Sequence, residues 1–343
     1  MKTFGKITAT LLAAAMFFTA AGCQNTQKKE ETSSSAATTL TAKTAIKVAG
    51  LKGPTGIGLV KLMDDSAKGT AANDYSFTLE AAPTDIVPLI STGAADIAAC
   101  PLNVASTLYN KTNGGVQIIA VNTLGVLYIL EQGSTIHSVA DLKGKTVYSS
   151  GQGASPEYIL NFVLSANGID PKNDITVEYK AEHSELAALA ASGKVVISVL
   201  PEPFVTTVMS KNTKLRIALD LTKEWEKACE KTGTDSTLAM GCLIVRKDFA
   251  EKNPAAVASF LAEYKASVDY VNGNVPAASL LVEKFGIIPE AALAAKAIPN
   301  CNIVYMAGSK MKAVTQQNLN VLFGANPSSI GGAEPKDDFY YGA

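Results

Sequence analysis

Two segments of this chain, one hundred residues apart, repeat one pattern, and that repeat restricts the fold to two lobes of like build. The first reads TDIVPLISTGAADIAACPLNVAS from Thr84, and the second reads SELAALAASGKVVISVLPEPFVT from Ser184. Each sets a hydroxyl residue (Thr84, Ser184), an acid (Asp85, Glu185) and an aliphatic (Ile86, Leu186) ahead of a leucine (Leu89, Leu189). A glycine (Gly93, Gly193) and a proline (Pro101, Pro201) follow at matching positions. The hydroxyl is expected to cap a short helix whose positive end suits the acid. The glycine is expected to end that helix in the left-handed conformation. The short, largely apolar runs 96–99 and 196–199 read as buried strands. The prolines stop them and open loops at their carboxyl ends, where open α/β sheets bind ligands. Two such lobes side by side leave a cleft for a small molecule.

The amino-terminal residues read as targeting and tether rather than fold. Lys2 and Lys6 precede an apolar run over 7–21 that is too short for a permanent span. The run ends in AAGC, with Cys23 last, so residues 1–23 read as a leader. Residues 24–44 are rich in Ser, Thr, Lys, Glu and Ala, with Leu40 the only large aliphatic. They cannot bury a core and are expected to form a flexible tether reaching roughly 25 Å.

The remaining length suits two domains. Basic and acidic side chains number 30 and 31, a balance that gives no reason to expect nucleic acid. No second apolar stretch is long enough to cross a membrane. Cys100, Cys229, Cys242 and Cys301 match no zinc or CxxC spacing. An exported protein could pair them, but the apolar settings of Cys100 and Cys242 favour free thiols.

Strands are expected at 46–49, 77–80, 116–121 and 126–130, then from 147, at 177–179 and at 215–219. The apolar run 240–245 reads as the return path, lying near 126–130, so that two extended crossings form a hinge. The first lobe is therefore assigned to 45–131 and 243–343, and the second to 132–242. From Pro254 a helix is expected with Val257, Phe260, Leu261, Tyr264, Val268 and Val271 on its apolar face. Helical stretches at 277–285, 290–297 and 310–323 are expected to be scaffold for the first lobe.

Taken in order, the lipobox-like AAGC, the Thr84 segment, ADLKGKTV at 140–147, PEPFVT at 201–206 and RKDFAEKNP at 246–254 resemble the solute-binding proteins of ABC importers. The nearest likeness is to the branch for nitrate, sulfonates, taurine and thiamine-pyrimidine precursors, and it covers nearly all of the chain from Ile46. The resemblance implies an α/β, two-lobed periplasmic-binding-protein fold of type II, with the ligand between the lobes and two crossover hinge strands. It implies closure on a small-molecule ligand and recognition by an ABC permease with its ATPase. It implies that Cys23 is multiply acylated and anchors a monomer outside the bacterial cell membrane. It implies no catalysis, no cofactor and no metal. By position, the contacts it implies are Pro54, Thr55 and Gly56; Pro101, Leu102 and Asn103; Asn122 and Thr123; Gln152, Gly153, Ala154 and Ser155; and Glu202.

The residue types at these positions constrain the ligand. Glycines at 151 and 153 let backbone amides approach it, and Ser155 offers a hydroxyl as the expected cap of a helix with Pro156 at its first position. Helix starts of this kind bind anions without a formal charge. The chain has two arginines, Arg216 and Arg246, and neither lies on an expected cleft loop, so a two-pronged carboxylate clamp is not expected. Two classes stay open: a sulfonate- or nitrate-type anion held by amides and hydroxyls, and a neutral to cationic pyrimidine-type heterocycle. Glu202 would favour the second if it faces the cleft, and is otherwise a loop acid. Asn103, Asn122 and Gln152 can both donate and accept. Phe204 either walls a ring or joins the core. Trp225 is expected to pack a surface helix, and His137 and His183 to be structural or exposed beside turns. A sensing domain or an enzyme on the same fold is the alternative. The sequence carries no nucleophile elbow and no HExxH.

Overall fold

Eleven strands lie in two sheets among the residues that the computed structural model describes, 43–234 and 236–343. The leader, Cys23 and most of the expected tether lie outside the described residues. Thr44, at the tether's end, already accepts a bond from the Asp74 amide at 3.0 Å.

The strands are β1 (Ala45–Leu51), β2 (Asp74–Glu80), β3 (Ile97–Pro101), β4 (Val116–Leu124), β5 (Leu127–Gln132) and β6 (Thr146–Ser150). They continue as β7 (Thr176–Lys180), β8 (Ile197–Pro201), β9 (Leu215–Asp220), β10 (Ala239–Arg246) and β11 (Ile303–Met306). The first sheet runs β11-β4-β10-β3-β1-β2 and the second β7-β6-β8-β5-β9. Without β11 the two orders match strand for strand. In each, three parallel strands (β2-β1-β3, β7-β6-β8) are followed by one antiparallel strand, β10 or β5. The third strand of each set, IAACP or ISVLP, is buried along its whole length, as a central strand covered on both faces must be. The outer strands β2 and β7 carry polar side chains at alternate, more exposed positions.

The repeat therefore has a structural counterpart: the helix Ile86–Ser91 leads into β3, and the helix His183–Ala191 into β8. Gly93 and Gly193 turn out of those helices at φ 73° and 71°, in the left-handed region expected of them. The capping hydroxyls are not found. Thr84 sits inside a 3₁₀ turn, Pro83–Asp85, and the helix after it has no side-chain cap. The Ser184 hydroxyl instead donates to the Glu182 carboxylate at 2.8 Å.

The chain crosses between the two sheets twice. β4 passes through Gly125 and Val126 into β5, which pairs with β8 and β9 in the second sheet. The return passes from the helix Leu221–Thr232 into β10, which pairs with β3 and β4 in the first. Each extended run is thus captured by the sheet it enters, with 127–132 in the second sheet and 239–246 in the first. The runs do not lie side by side. They touch where the Val126 amide meets Met240 Sδ at 3.4 Å.

The helix Pro254–Gly273 buries Val257, Phe260, Tyr264, Val268 and Val271 against Ile46, Val48 and Leu243, with Leu261 at the margin. The last long helix, Gly308–Ala325, packs differently. Its Met311, Leu319 and Leu322 join a core that continues into the helix Ser155–Ala166 of the second lobe. Trp225 is fully buried there, 4.8 Å from the Phe162 ring, and its Nε1 donates to Ser236 O at 3.1 Å. All four described cysteines are buried, and Cys100, Cys242 and Cys301 are free thiols. No described helix is long and apolar enough to cross a membrane.

Candidate ligand-binding cleft

A cavity of about 60 Å³ opens beyond the carboxyl ends of the parallel strands of both sheets. This is the position at which open α/β sheets receive ligands. The first lobe supplies the exit of β1 (Leu51, Lys52, Gly53), Pro83 after β2, Pro101 at the end of β3, and Gly241 in β10. The second supplies Ser155 and Pro156 after β6, His183 after β7, Pro201 at the end of β8, and Phe204. Equivalent positions of the repeat thus meet in one place: Pro83 with His183, and Pro101 with Pro201.

Five of the expected contacts line this cavity: Pro54, Thr55, Pro101, Thr123 and Ser155. The Thr55 hydroxyl is buried and has no hydrogen-bond partner among the described residues. Eight expected contacts do not line it. Gly56 is a packing residue, because a Cβ there would fall 2.1 Å from the Leu51 carbonyl oxygen. Pro101 is followed at once by the helix Leu102–Lys111 rather than by a loop, and Leu102 enters the core. Asn103 bonds across the lobes, with its amide nitrogen on Gly153 O at 3.2 Å and Ser329 O at 3.1 Å. Asn122 is fully buried, donating to Cys242 O at 3.4 Å and accepting from the Thr123 hydroxyl at 3.1 Å.

The 151–155 segment is not an open nest of amides. Gln152 and Gly153 face solvent, and the Gly153 amide donates to the Glu157 carboxylate at 2.6 Å. Ala154, buried in the core, is the residue before the helix, so Ser155 is its first residue and not its cap. The Ser155 hydroxyl donates to Asn103 Oδ1 at 3.1 Å. Glu202 is neither a cleft group nor a solvated acid. It is 3% exposed and accepts from the Thr206 amide at 3.0 Å and the Thr206 hydroxyl at 2.9 Å, in the first turn of the helix Phe204–Lys211. Burial pushes its carboxyl above the usual range despite those bonds, and it borders a separate groove with Met209 and Lys296.

The sequence reading missed Lys52, His183 and Met240 as lining residues. Lys52, exposed at the mouth, is the only charged residue lining the cavity among the described residues. No acid lines it. His183 Nδ1 lies 2.7 Å from the Ser150 hydroxyl, and its ring is 5.6 Å from that of Phe204. Burial pushes the imidazole down to about 4, so the ring is neutral at pH 7. The repeat held a signal for it, since His183 stands one hundred residues after Pro83. His137 is exposed in a turn, with its Nε2 2.9 Å from Ser134 O. Both arginines are structural. Arg216 pairs with Glu131 at 2.6 Å, and Arg246 with Asp248 at 2.5 Å and Asp96 at 3.4 Å.

The fold is shared with solved structures from several organisms. One is an ABC transporter structure from Parabacteroides distasonis, with a TM-score of 0.69 and 22% identity over 87% of this chain and 99% of that one. Another is the periplasmic aliphatic sulphonate binding protein SsuA from Escherichia coli, with a TM-score of 0.66 and 19% identity over 87% and 96%. A third is the periplasmic nitrate-binding protein NrtA from Synechocystis PCC 6803, with a TM-score of 0.59 and 15% identity over 84% of each chain. The two-lobed α/β binding-protein fold expected from the sequence is the fold observed. No curated protein matches the chain in sequence. The profile of the NMT1/THI5-like family matches residues 76–277, more than half of the chain, and the chain belongs to that family.

Proposed function

We propose that this protein is the extracytoplasmic solute-binding component of an ABC importer. It captures a small organic solute between its lobes and delivers it to a permease with its ATPase. The observation that carries this reading is the convergence of equivalent repeat positions, Pro83 with His183 and Pro101 with Pro201, on one cavity at the strand ends. The solute-binding proteins named above, of the same fold, support it. The solute is neutral or anionic, because the cavity lining holds a lysine and no acid. Prolines, Leu51, Phe204 and Met240 wall its apolar part. Thr55, Thr123, Ser155 and His183 are the candidate polar contacts. Acylation of Cys23 holds a monomer beside the membrane, and replacement of Cys23 is expected to release it into the soluble fraction.

A thermal-shift screen of sulfonates, nitrate, pyrimidines, flavins and small amines tests this reading. A true solute at a hundred times its dissociation constant adds roughly 2.7 kcal/mol of stability. Stabilisation by amines alone would contradict the charge argument.

A further inference from the structure

We propose that Asn103 fixes the hydrogen-bond polarity of the cleft. Ser155 then meets a bound solute only as an acceptor, and the solute presents an N–H or O–H to it. The inference rests on the solute-binding reading of the cavity.

Asn103 stands near the start of the helix Leu102–Lys111 in the first lobe and is 1% exposed. Its Nδ2 donates to Gly153 O of the second lobe at 3.2 Å and to Ser329 O near the carboxyl terminus at 3.1 Å. Both partners are carbonyls with no proton to give. Turning the amide over would set Oδ1 against two acceptors, so its orientation is determined. Oδ1 therefore faces the Ser155 hydroxyl, at 3.1 Å. An amide oxygen only accepts, so the hydroxyl donates, and a serine hydroxyl has a single proton. What Ser155 has left for the cavity it lines is lone pairs.

An oxyanion against Ser155 would set lone pair against lone pair, whereas an N–H or O–H finds an acceptor. Mismatching one buried polar contact lowers affinity by about tenfold or more. An anionic solute would have to seat its charge at the mouth, beside Lys52, and not at the helix start. Asn103 does not itself line the cavity and acts through Ser155, so it is a positioning residue.

Neutron diffraction from exchanged crystals of the wild-type protein tests the inference directly. The Ser155 deuteron is expected on the line to Asn103 Oδ1. A deuteron directed into the cavity would overturn the inference, whatever the protein binds. Calorimetric titration with a matched pair, nicotinamide and nicotinate, supplies the functional arm. Wild-type protein is expected to favour nicotinamide about tenfold or more, and Asn103→Leu to lose that preference while keeping its circular dichroism. A nicotinamide-to-nicotinate affinity ratio that Asn103→Leu leaves unchanged would overturn it. If neither probe nor any screened solute binds, the solute-binding reading fails, and the neutron result still decides the hydroxyl.

Discussion

Pro101 and Pro201 end the third strands of two different sheets and line a single cavity. A proline suits a strand end facing a cleft, because it has no amide hydrogen to leave unpaired there. The pair ties the repeat, the sheet order and the binding site into one relationship. Several measurable consequences depend on how the neighbouring residues are packed.

Gly241 lies in β10 at the back of the cavity. A Cβ there would fall 2.5 Å from Asn122 Oδ1 and 2.7 Å from Thr55 Cγ2, both in tightly packed surroundings. Gly241→Ala is predicted to cost about 1–3 kcal/mol of stability and to weaken solute binding by displacing Thr55. Urea denaturation and titration check the two effects. An unchanged midpoint would show that the site is looser than its packing implies.

The pH dependence of stability carries a signature of His183. Its pKa falls from 6.5 in the unfolded chain to about 4 in the folded protein. As pH drops from about 6.5 to about 4, the unfolded chain takes up this proton and the folded one does not, so stability falls across that window. The loss from this group is on the order of 2–3 kcal/mol. Glu131 acts in a lower window. Burial alone would raise its carboxyl, but bonds from Thr135, Ile136 and Arg216 outweigh that and hold it below its usual 4.5, so its contribution is lost only below that pH. Denaturation at pH 7 and pH 4.5 should show a smaller difference for His183→Gln than for wild type. Equal differences would place His183 in water.

Arg216 and Glu131 form a lock in the second lobe away from the cleft. Glu131 is 1% exposed, and Arg216 also donates to Gly133 O at 3.0 Å and Ile136 O at 2.5 Å. Arg216→Met leaves a buried carboxylate without its cation and is predicted to cost about 2–3 kcal/mol, reduced from the fully buried case because Arg216 is partly in water. Affinity for solute should be unchanged, since neither residue lines the cavity. A loss of affinity at full stability would contradict this assignment.

The thiols of Cys100, Cys242 and Cys301 are predicted to resist alkylation in the native protein and to react fully once it is unfolded. All three are buried and free, and burial raises the pKa of Cys242 and Cys301. Mass spectrometry after iodoacetamide treatment counts them. Native labelling at Cys100 or Cys242 would mean that β3 and β10 separate readily.

The periodic features of the sequence carried the architecture, and the long-range ones did not. The repeat fixed both helix–strand units, their left-handed glycines and their terminal prolines, because each depends on neighbours close in the chain. The sheet membership of β5 and β10 is not legible in the sequence, because both are extended apolar runs and only their pairing partners reveal which sheet holds each. Ser155 read as a helix cap because Asn103, fifty-two residues earlier, cannot be seen as its partner from the sequence. Glu202 reads as a cleft contact or a loop acid because its bonds to Thr206 appear only once the helix Phe204–Lys211 forms. Lys52 carries no signal and His183 reads as structural or exposed, because single polar residues beside turns have no pattern of their own.

A crystal structure with a compound from the thermal-shift screen decides whether a solute sits between the two lobes. Solute density is expected in contact with both Pro101 and Pro201 and against the Phe204 ring. Density touching one lobe only, or lying in the groove beside Glu202 and Lys296, would contradict it.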